Sequence, residues 1–206
     1  MWLPERGLHV SWSFWLLVLL AAIVSPVTIV LSVLAAAALH ECGHLLALRA
    51  FHVPVEGLRL SAFGAVLYAR GARRLSYGRE LAVTLAGCGM NLACGFLTAA
   101  LSLHYVWADG FAFAGAHILL CAFNLLPIPP LDGARALSLA VSALFGPLVG
   151  DAAAALVGVS VSVVLLGGAV FLYVQTHGGA LAVFAALALL AGALRQLRLA
   201  KNAIKV

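Results

Sequence analysis

A chain of 206 residues that is 65% hydrophobic and 9% charged, with a mean hydropathy of +1.12, is excluded from the water-soluble globular class, in which about 25% of residues are charged. Its net charge of +5 does not indicate nucleic acid, because the basic residues are scattered between apolar runs and form neither a stripe nor an aromatic-interleaved patch. A spanning helix takes about 20 apolar residues, so the length holds roughly five or six spans and leaves no room for a separate soluble domain.

In chain order, the apolar segments predict spans at 12–25, 27–50, 80–103, 111–126, 151–174 and 180–198. The first follows Glu5 and Arg6 and has the positive flank of a signal peptide. No small-residue cleavage site follows it, and Pro26 leads straight into the next run, so the segment is expected to be retained. Between spans two and three, Val55 to Leu60 and Ala65 to Tyr68 are rich in branched and aromatic residues and flank Ser61-Ala62-Phe63-Gly64, which predicts a β-hairpin. An open strand edge at membrane depth needs protein, a wet cavity or a partner strand to satisfy its backbone. Pro127, Pro129 and Pro130 break the fourth span, and a shorter helix over 132–146 follows. Gly158, Ser162 and the Gly167-Gly168 pair predict close helix contacts. The expected fold class is an all-α integral membrane protein of about six transmembrane helices with a small membrane-associated hairpin, forming a single domain over 1–206.

Charge placement gives an expected topology. With the N-terminus inside, the inside segments hold Arg6; then Arg49, Arg59, Arg70, Arg73, Arg74 and Arg79; then Arg135; then Arg195, Arg198, Lys201 and Lys205, which together are all 12 basic residues. The outside loops, at Ser25-Pro26, His104 to Gly110 and Gln175 to Gly179, hold none, so both termini are expected on the cytoplasmic side. Cys42, Cys88, Cys94 and Cys121 lie inside apolar runs without a C-x-x-C pair, which argues for packing and against a disulfide framework or a cysteine metal site.

The second span carries the chemistry. In ALHECGHLLA, Ala38 to Ala47, His40 and His44 are four residues apart. On a helix they stand about 40° apart on one face, and Glu41 is turned about 100° from His40. Two imidazoles able to share a metal, with a carboxylate turned toward a water on it, is the H-E-x-x-H arrangement of metallohydrolases. Such matches also arise by chance, and a lone histidine in a bundle is more often a packing residue. The membrane changes that balance: an ionisable group at the centre of a spanning helix costs at least about 2.5 kcal/mol, and a metal in a hydrated cavity compensates three of them at once.

Tetrahedral zinc needs a third protein ligand. Of the seven acidic residues, Glu5, Glu56, Glu80, Asp109 and Asp151 lie at segment ends or loop boundaries and Glu41 is the candidate base. Asp132 remains, in NLLPIPPLDGARAL, where a kinked segment lets it reach back; the other reading of Asp132 is an N-cap of the following helix. His117, Cys121 and Asn124 fall on one helical stripe, on which His117 is either a partner of the site or, as favoured, a packing and cavity-lining residue. His9 and His52 sit near span ends and are read as interfacial.

The two motifs HECGH and NLLPIPPLDG, taken together, resemble the site-2 proteases, intramembrane zinc metalloproteases with an H-E-x-G-H motif followed by N-x-x-P-x-x-x-x-D-G. The resemblance runs from about Leu34 to Leu137 and implies one zinc ion per chain held by His40, His44 and Asp132, with Glu41 activating the bound water. It implies Asn124 as a substrate or oxyanion group. Gly87-Cys88-Gly89-Met90-Asn91 is similar to the family's G-x-x-x-N element, but Cys88 stands where proline is common, so Asn91 is open between a substrate role and a small-residue packing face with Cys94 and Thr98. The catalytic core would be about 27–137, with accessory spans 1–26 and 138–206 and no soluble regulatory domain.

The layout looks most like the sporulation-type branch, which implies a pro-sigma-factor-like, membrane-associated protein substrate, a lipid bilayer and regulatory membrane proteins as partners, and no nucleic acid. Gly64, Ala65, Val66 and Leu67 would offer the strand edge on which an unwound substrate pairs. The competing class is non-enzymatic: an inactive protease-like scaffold or a zinc transporter, against which stands the near absence of polar residues in the last two spans.

Overall fold

The computed structural model describes residues 7–61, 64–69, 75–176 and 179–204. The sequence readings on Glu5, Arg6, Ala62, Phe63, Arg70, Arg73, Arg74, His177, Gly178 and Lys205 lie outside these residues. The chain divides into two compact units, Met1–Ala122 and Phe123–Val206.

The first unit opens with a strand, β1 (Gly7–Val10), and a short helix, α1 (Trp12–Val24). Pro26 then begins α2 (Val27–Ala50), as its fixed φ and missing N–H allow at a helix start. Two strands follow, β2 (Val55–Ser61) and β3 (Gly64–Ala69), and then α3 (Tyr77–Tyr105) and α4 (Ala108–Asn124). The hairpin expected from the branched and aromatic runs is present: β2 and β3 pair antiparallel, with Leu58 opposite Leu67 and a register irregularity between Val55 and Gly57.

It is one part of a larger sheet, ordered β1-β2-β3. β1 lies parallel to β2 with Leu8 opposite Leu58, and the Ser11 N–H extends the contact by donating to the Leu60 carbonyl at 2.9 Å. The hairpin expected from the sequence thus has a partner strand, which the sequence did not identify. Gly7-Leu8-His9-Val10 is too short and too mixed to show a strand period of its own, and its pairing partner lies some fifty residues away in sequence. β1 closes one edge of β2, so β1 and β3 are the two edge strands, each paired on one side among the described residues.

Packing in this unit runs along the facing stripes of α2 and α3. On α2 the buried residues are Val30, Ser32, Ala36, His40, Gly43, His44 and Leu48, and on α3 they are Thr84, Gly87, Cys88, Asn91, Gly95 and Ser102. Both sets recur at the spacing of one helical face, and the glycines let the backbones approach closely where lipid supplies no hydrophobic drive between helices. Cys88 and Cys121 are buried as expected of packing residues, the Cys88 thiol pointing at the Cys121 carbonyl at 3.8 Å, but Cys42 is exposed on the far side of α2.

The second unit holds the proline loop and three helices, α5 (Asp132–Phe145), α6 (Pro147–Thr176) and α7 (Ala180–Ile204), with α6 packed between α5 and α7. The loop is clamped from two sides. A Cβ on Gly158 of α6 would stand 2.7 Å from Pro129 Cδ and 3.0 Å from the Pro127 carbonyl, and one on Gly192 of α7 would stand 3.3 Å from the Pro129 carbonyl. Ile128 is fully buried. The close contact expected at Gly158 is therefore found, whereas Gly167 and Gly168 have nothing within 4 Å of a built Cβ among the described residues.

Gly133 is pressed against the Leu125 and Leu126 carbonyls, so a side chain there would push α5 off the loop. Gly133→Ala is expected to destabilise the fold by about 1–3 kcal/mol, seen as a lower midpoint in thermal unfolding of the detergent-solubilised protein.

Four helices, Val27–Ala50, Tyr77–Tyr105, Pro147–Thr176 and Ala180–Asn202, are long and apolar enough to cross a membrane, which makes this an integral membrane protein. The expectation of about six spans is not met on this measure: α1 has 13 residues and α4 has 17. At a rise of 1.5 Å they reach only about 20 and 26 Å, short of a hydrocarbon core of about 30 Å. Much of the outer surface is apolar, with Phe96, Leu103, Leu119, Val164, Phe171 and Phe184 more than half exposed, as a lipid-facing surface requires.

Candidate metal centre

α2 carries His40 and His44 on its buried face, one turn apart. Their rings meet edge to face with centroids 4.7 Å apart, and their Nε2 atoms lie 3.1 Å from each other. Two groups of α3 fix these rings. The Val83 carbonyl lies 2.8 Å from His44 Nδ1. A carbonyl only accepts, so Nδ1 carries the proton and Nε2 presents a lone pair, the form a metal ligand needs.

One turn further along α3 is Gly87. A Cβ there would stand 2.5 Å from His44 Nε2 and 2.8 Å from His40 Nε2. The missing side chain is what leaves room in front of both donor atoms. Gly43, the glycine of HECGH, performs the same service for the helix pair, since its Cβ would stand 2.5 Å from the Ala86 carbonyl.

One more turn along α3, the fully buried Asn91 places Nδ2 3.3 Å from His40 Nδ1. Its Oδ1 lies 3.0 Å from Nδ1 of His117 on α4, also fully buried. The His117 ring is held by Phe113, at a centroid distance of 4.5 Å, and by Gly95, whose Cβ position is 3.3 Å from His117 Cβ. His117, which the sequence favours as a packing residue, is thus a hydrogen-bond partner of Asn91. Its signal was its place on the stripe with Cys121; nothing in the sequence linked it to residue 91.

Asp132 is the first residue of α5 and is half-buried. The N-cap of that helix is Leu131, so Asp132 is not the cap, although its charge suits the first turn of a helix. The ligand atoms of His40, His44 and Asp132 all lie within 4.8 Å of one another, near enough to hold a metal ion. The donor set fits one: two neutral imidazoles and a carboxylate leave a fourth position open, as catalytic zinc sites do. Glu41 is half-buried beside His40 in α2, Asn124 ends α4, and Gly64 to Leu67 lie in β3. Gly87 is the site residue that the sequence pattern contained, inside G-x-x-x-N, without revealing its part.

The fold that these elements form is similar to that of a solved intramembrane protease. The solved structure "Site-2 Protease from Methanocaldococcus jannaschii" superposes on the chain with a TM-score of 0.68 over 96% of this chain and 94% of that one, at 20% sequence identity. No protein-family model and no curated protein matches the chain.

Proposed function

We propose that the protein is an intramembrane zinc metalloendopeptidase that hydrolyses a peptide bond, within or next to the bilayer, of a membrane-associated protein. The observation that carries this reading is the His40, His44 and Asp132 group in a chain with four spanning helices. His40 and His44 through Nε2, and Asp132 through its carboxylate, would hold one zinc, which when bound supplies a Lewis acid and a water acidic enough to ionise near neutrality.

The chain's own residues do the rest. Glu41, turned from His40 by about a third of a helical turn, takes the proton of the attacking water and returns it to the leaving amine. Asn124 donates from its amide to the substrate carbonyl. The edge at Gly64, Ala65, Val66 and Leu67 receives the unwound substrate as a further strand, which satisfies both backbones. In this reading the working core is about 27–137, and the distribution of basic residues supports both termini on the cytoplasmic side. A pro-sigma-factor-like substrate is the finer reading that the resemblance to the sporulation-type branch supports.

Purified protein in detergent or liposomes is expected to cleave a membrane-anchored candidate substrate, to lose the activity on treatment with a zinc chelator and to regain it on zinc addition. Cleavage that persists after complete metal removal would exclude the metallopeptidase reading. Zinc uptake into vesicles without any cleavage would favour the transporter.

A further inference from the structure

The net charge of the chain is concentrated in one stretch. Residues 49–79 hold six arginines, Arg49, Arg59, Arg70, Arg73, Arg74 and Arg79, against one carboxylate, Glu56, while the rest of the chain holds six bases and six acids. The whole of the +5 therefore belongs to this stretch. The fold brings its described members to one end of the first unit. Arg49 lies in the last turn of α2 and Arg79 in the first turn of α3, its guanidinium over the Phe51 ring at 5.8 Å from the centroid. Arg59 stands on β2, between those two helices in the chain. All three are exposed, and none of them forms an ion pair among the described residues.

Strand register sorts the sheet into two unlike faces. Residues paired across strands share a face, and neighbours along a strand point to opposite faces. Leu8, Leu58 and Leu67 make one row, and Val10, Leu60 and Ala65 make the next row on the same face; both are apolar. The row between them, on the other face, is His9, Arg59 and Val66. A sheet apolar on one side and cationic on the other suits the boundary between hydrocarbon and anionic headgroups, as an interfacial amphipathic helix does. Its surroundings call for lipid too. Leu8 is 64% exposed, and Trp12, which opens α1 beside the Ser11 to Leu60 backbone bond, is 90% exposed. Indoles collect at the level of the headgroups.

We propose that this end of the first unit, Arg49, Arg59 and Arg79 with the cationic face of the sheet, binds the phosphates of anionic phospholipids and holds the sheet at headgroup depth. Positive charge alone would only keep the stretch on one side of the membrane. The binding role comes from exposed guanidinium groups with no carboxylate partner, on a sheet whose other face is apolar. The stretch contains no lysine, and a guanidinium can hold a phosphate through two parallel N–H bonds. Lipid is the occupant because a chain with four spanning helices is always in contact with it, whereas an acidic protein segment would have to be recruited. The proposal stands apart from the zinc reading.

The test uses the full chain in phosphatidylcholine nanodiscs containing a minor share of brominated lipid, either phosphatidylglycerol or phosphatidylcholine. With Trp2→Phe and Trp107→Phe in place, Trp12 and Trp15 report which lipid is bound, because bromine quenches indole fluorescence on contact. Phosphatidylglycerol is expected to be favoured by about tenfold or more, since each arginine near the surface contributes up to about fivefold. Raising the salt concentration, which needs no substitution, should shrink that preference. Arg59→Gln should lower it about threefold to fivefold, and Arg59→Lys, which keeps the charge, by less. Lys201→Gln, on α7 of the second unit, should leave it unchanged. Equal quenching by the two lipids, a preference that Arg59→Gln does not alter, or an equal loss with Lys201→Gln would each overturn the proposal. Equal quenching in a chain that instead binds a soluble acidic peptide through Arg59 would assign the surface to a protein partner and overturn the lipid.

Discussion

Glu41→Gln is expected to lower the rate of peptide hydrolysis by about 10²–10⁴-fold, the range of general acid–base catalysis, with zinc affinity held within a few-fold of the unaltered chain. The split between the two readouts follows from the helix. Glu41 is one residue from His40 and so points about 100° away from the ligand face; it is the two histidines whose donor atoms gather with that of Asp132. Glutamine keeps the size and polarity of the side chain but cannot take up a proton at neutral pH. Measured cleavage of a membrane-anchored substrate beside an indicator titration of zinc checks both halves. A Gln variant that cuts at the normal rate removes Glu41 from the mechanism, and one that has lost its metal would make Glu41 a ligand.

Gly87→Ala should abolish activity by another route, by lowering zinc affinity about 100-fold or more, at least as much as loss of a ligand's hydrogen-bond partner. The added methyl would stand 2.5 Å from His44 Nε2 and 2.8 Å from His40 Nε2, against both donor atoms at once. Rotating one ring away does not solve this cheaply. His44 would give up its 2.8 Å bond to the Val83 carbonyl, and His40 its contact with Asn91. Gly89 provides the control on the same helix, since nothing among the described residues lies within 4 Å of its Cβ position. Gly89→Ala should leave zinc affinity and cleavage unchanged, which separates a local clash from a general sensitivity of α3 to alanine. If Gly87→Ala binds zinc normally, the close approach of α3 to the histidines is wrong.

The readable part of the site was the part held by one helix. His40, Glu41 and His44 have their relative directions set by the 3.6-residue period, so a linear pattern is enough to place them. Asp132 was legible for a different reason: acidic residues are so scarce in this chain that few could serve as the third ligand. Groups whose role depends on a neighbouring helix were not readable in this way. Gly87 looks like any small residue of an apolar helix until α2 is laid against it. His117 and Asn91 are 26 residues apart, and neither spacing nor residue type pairs them.

The fold divides along the same line. Apolar run length and the positions of Pro26 and the Pro127 to Pro130 cluster fixed where most helices start and stop, because those are local properties of backbone and solvent. The three elements that depart from expectation do so through a distant partner or through length measured in space. β1 exists because β2 supplies a parallel edge, and α1 and α4, at 13 and 17 residues, are shorter than the four helices long and apolar enough to cross a membrane.

The sequence by itself determined that this is a membrane protein carrying a histidine pair with an adjacent carboxylate, because hydrophobicity and helical period act within a single segment. Tertiary structure alone decided which small residue leaves room in front of the two histidines and which buried amide and imidazole stand behind His40. Those choices depend on side chains from separate helices meeting within about 3 Å, the reach of a hydrogen bond, and no one segment contains that information.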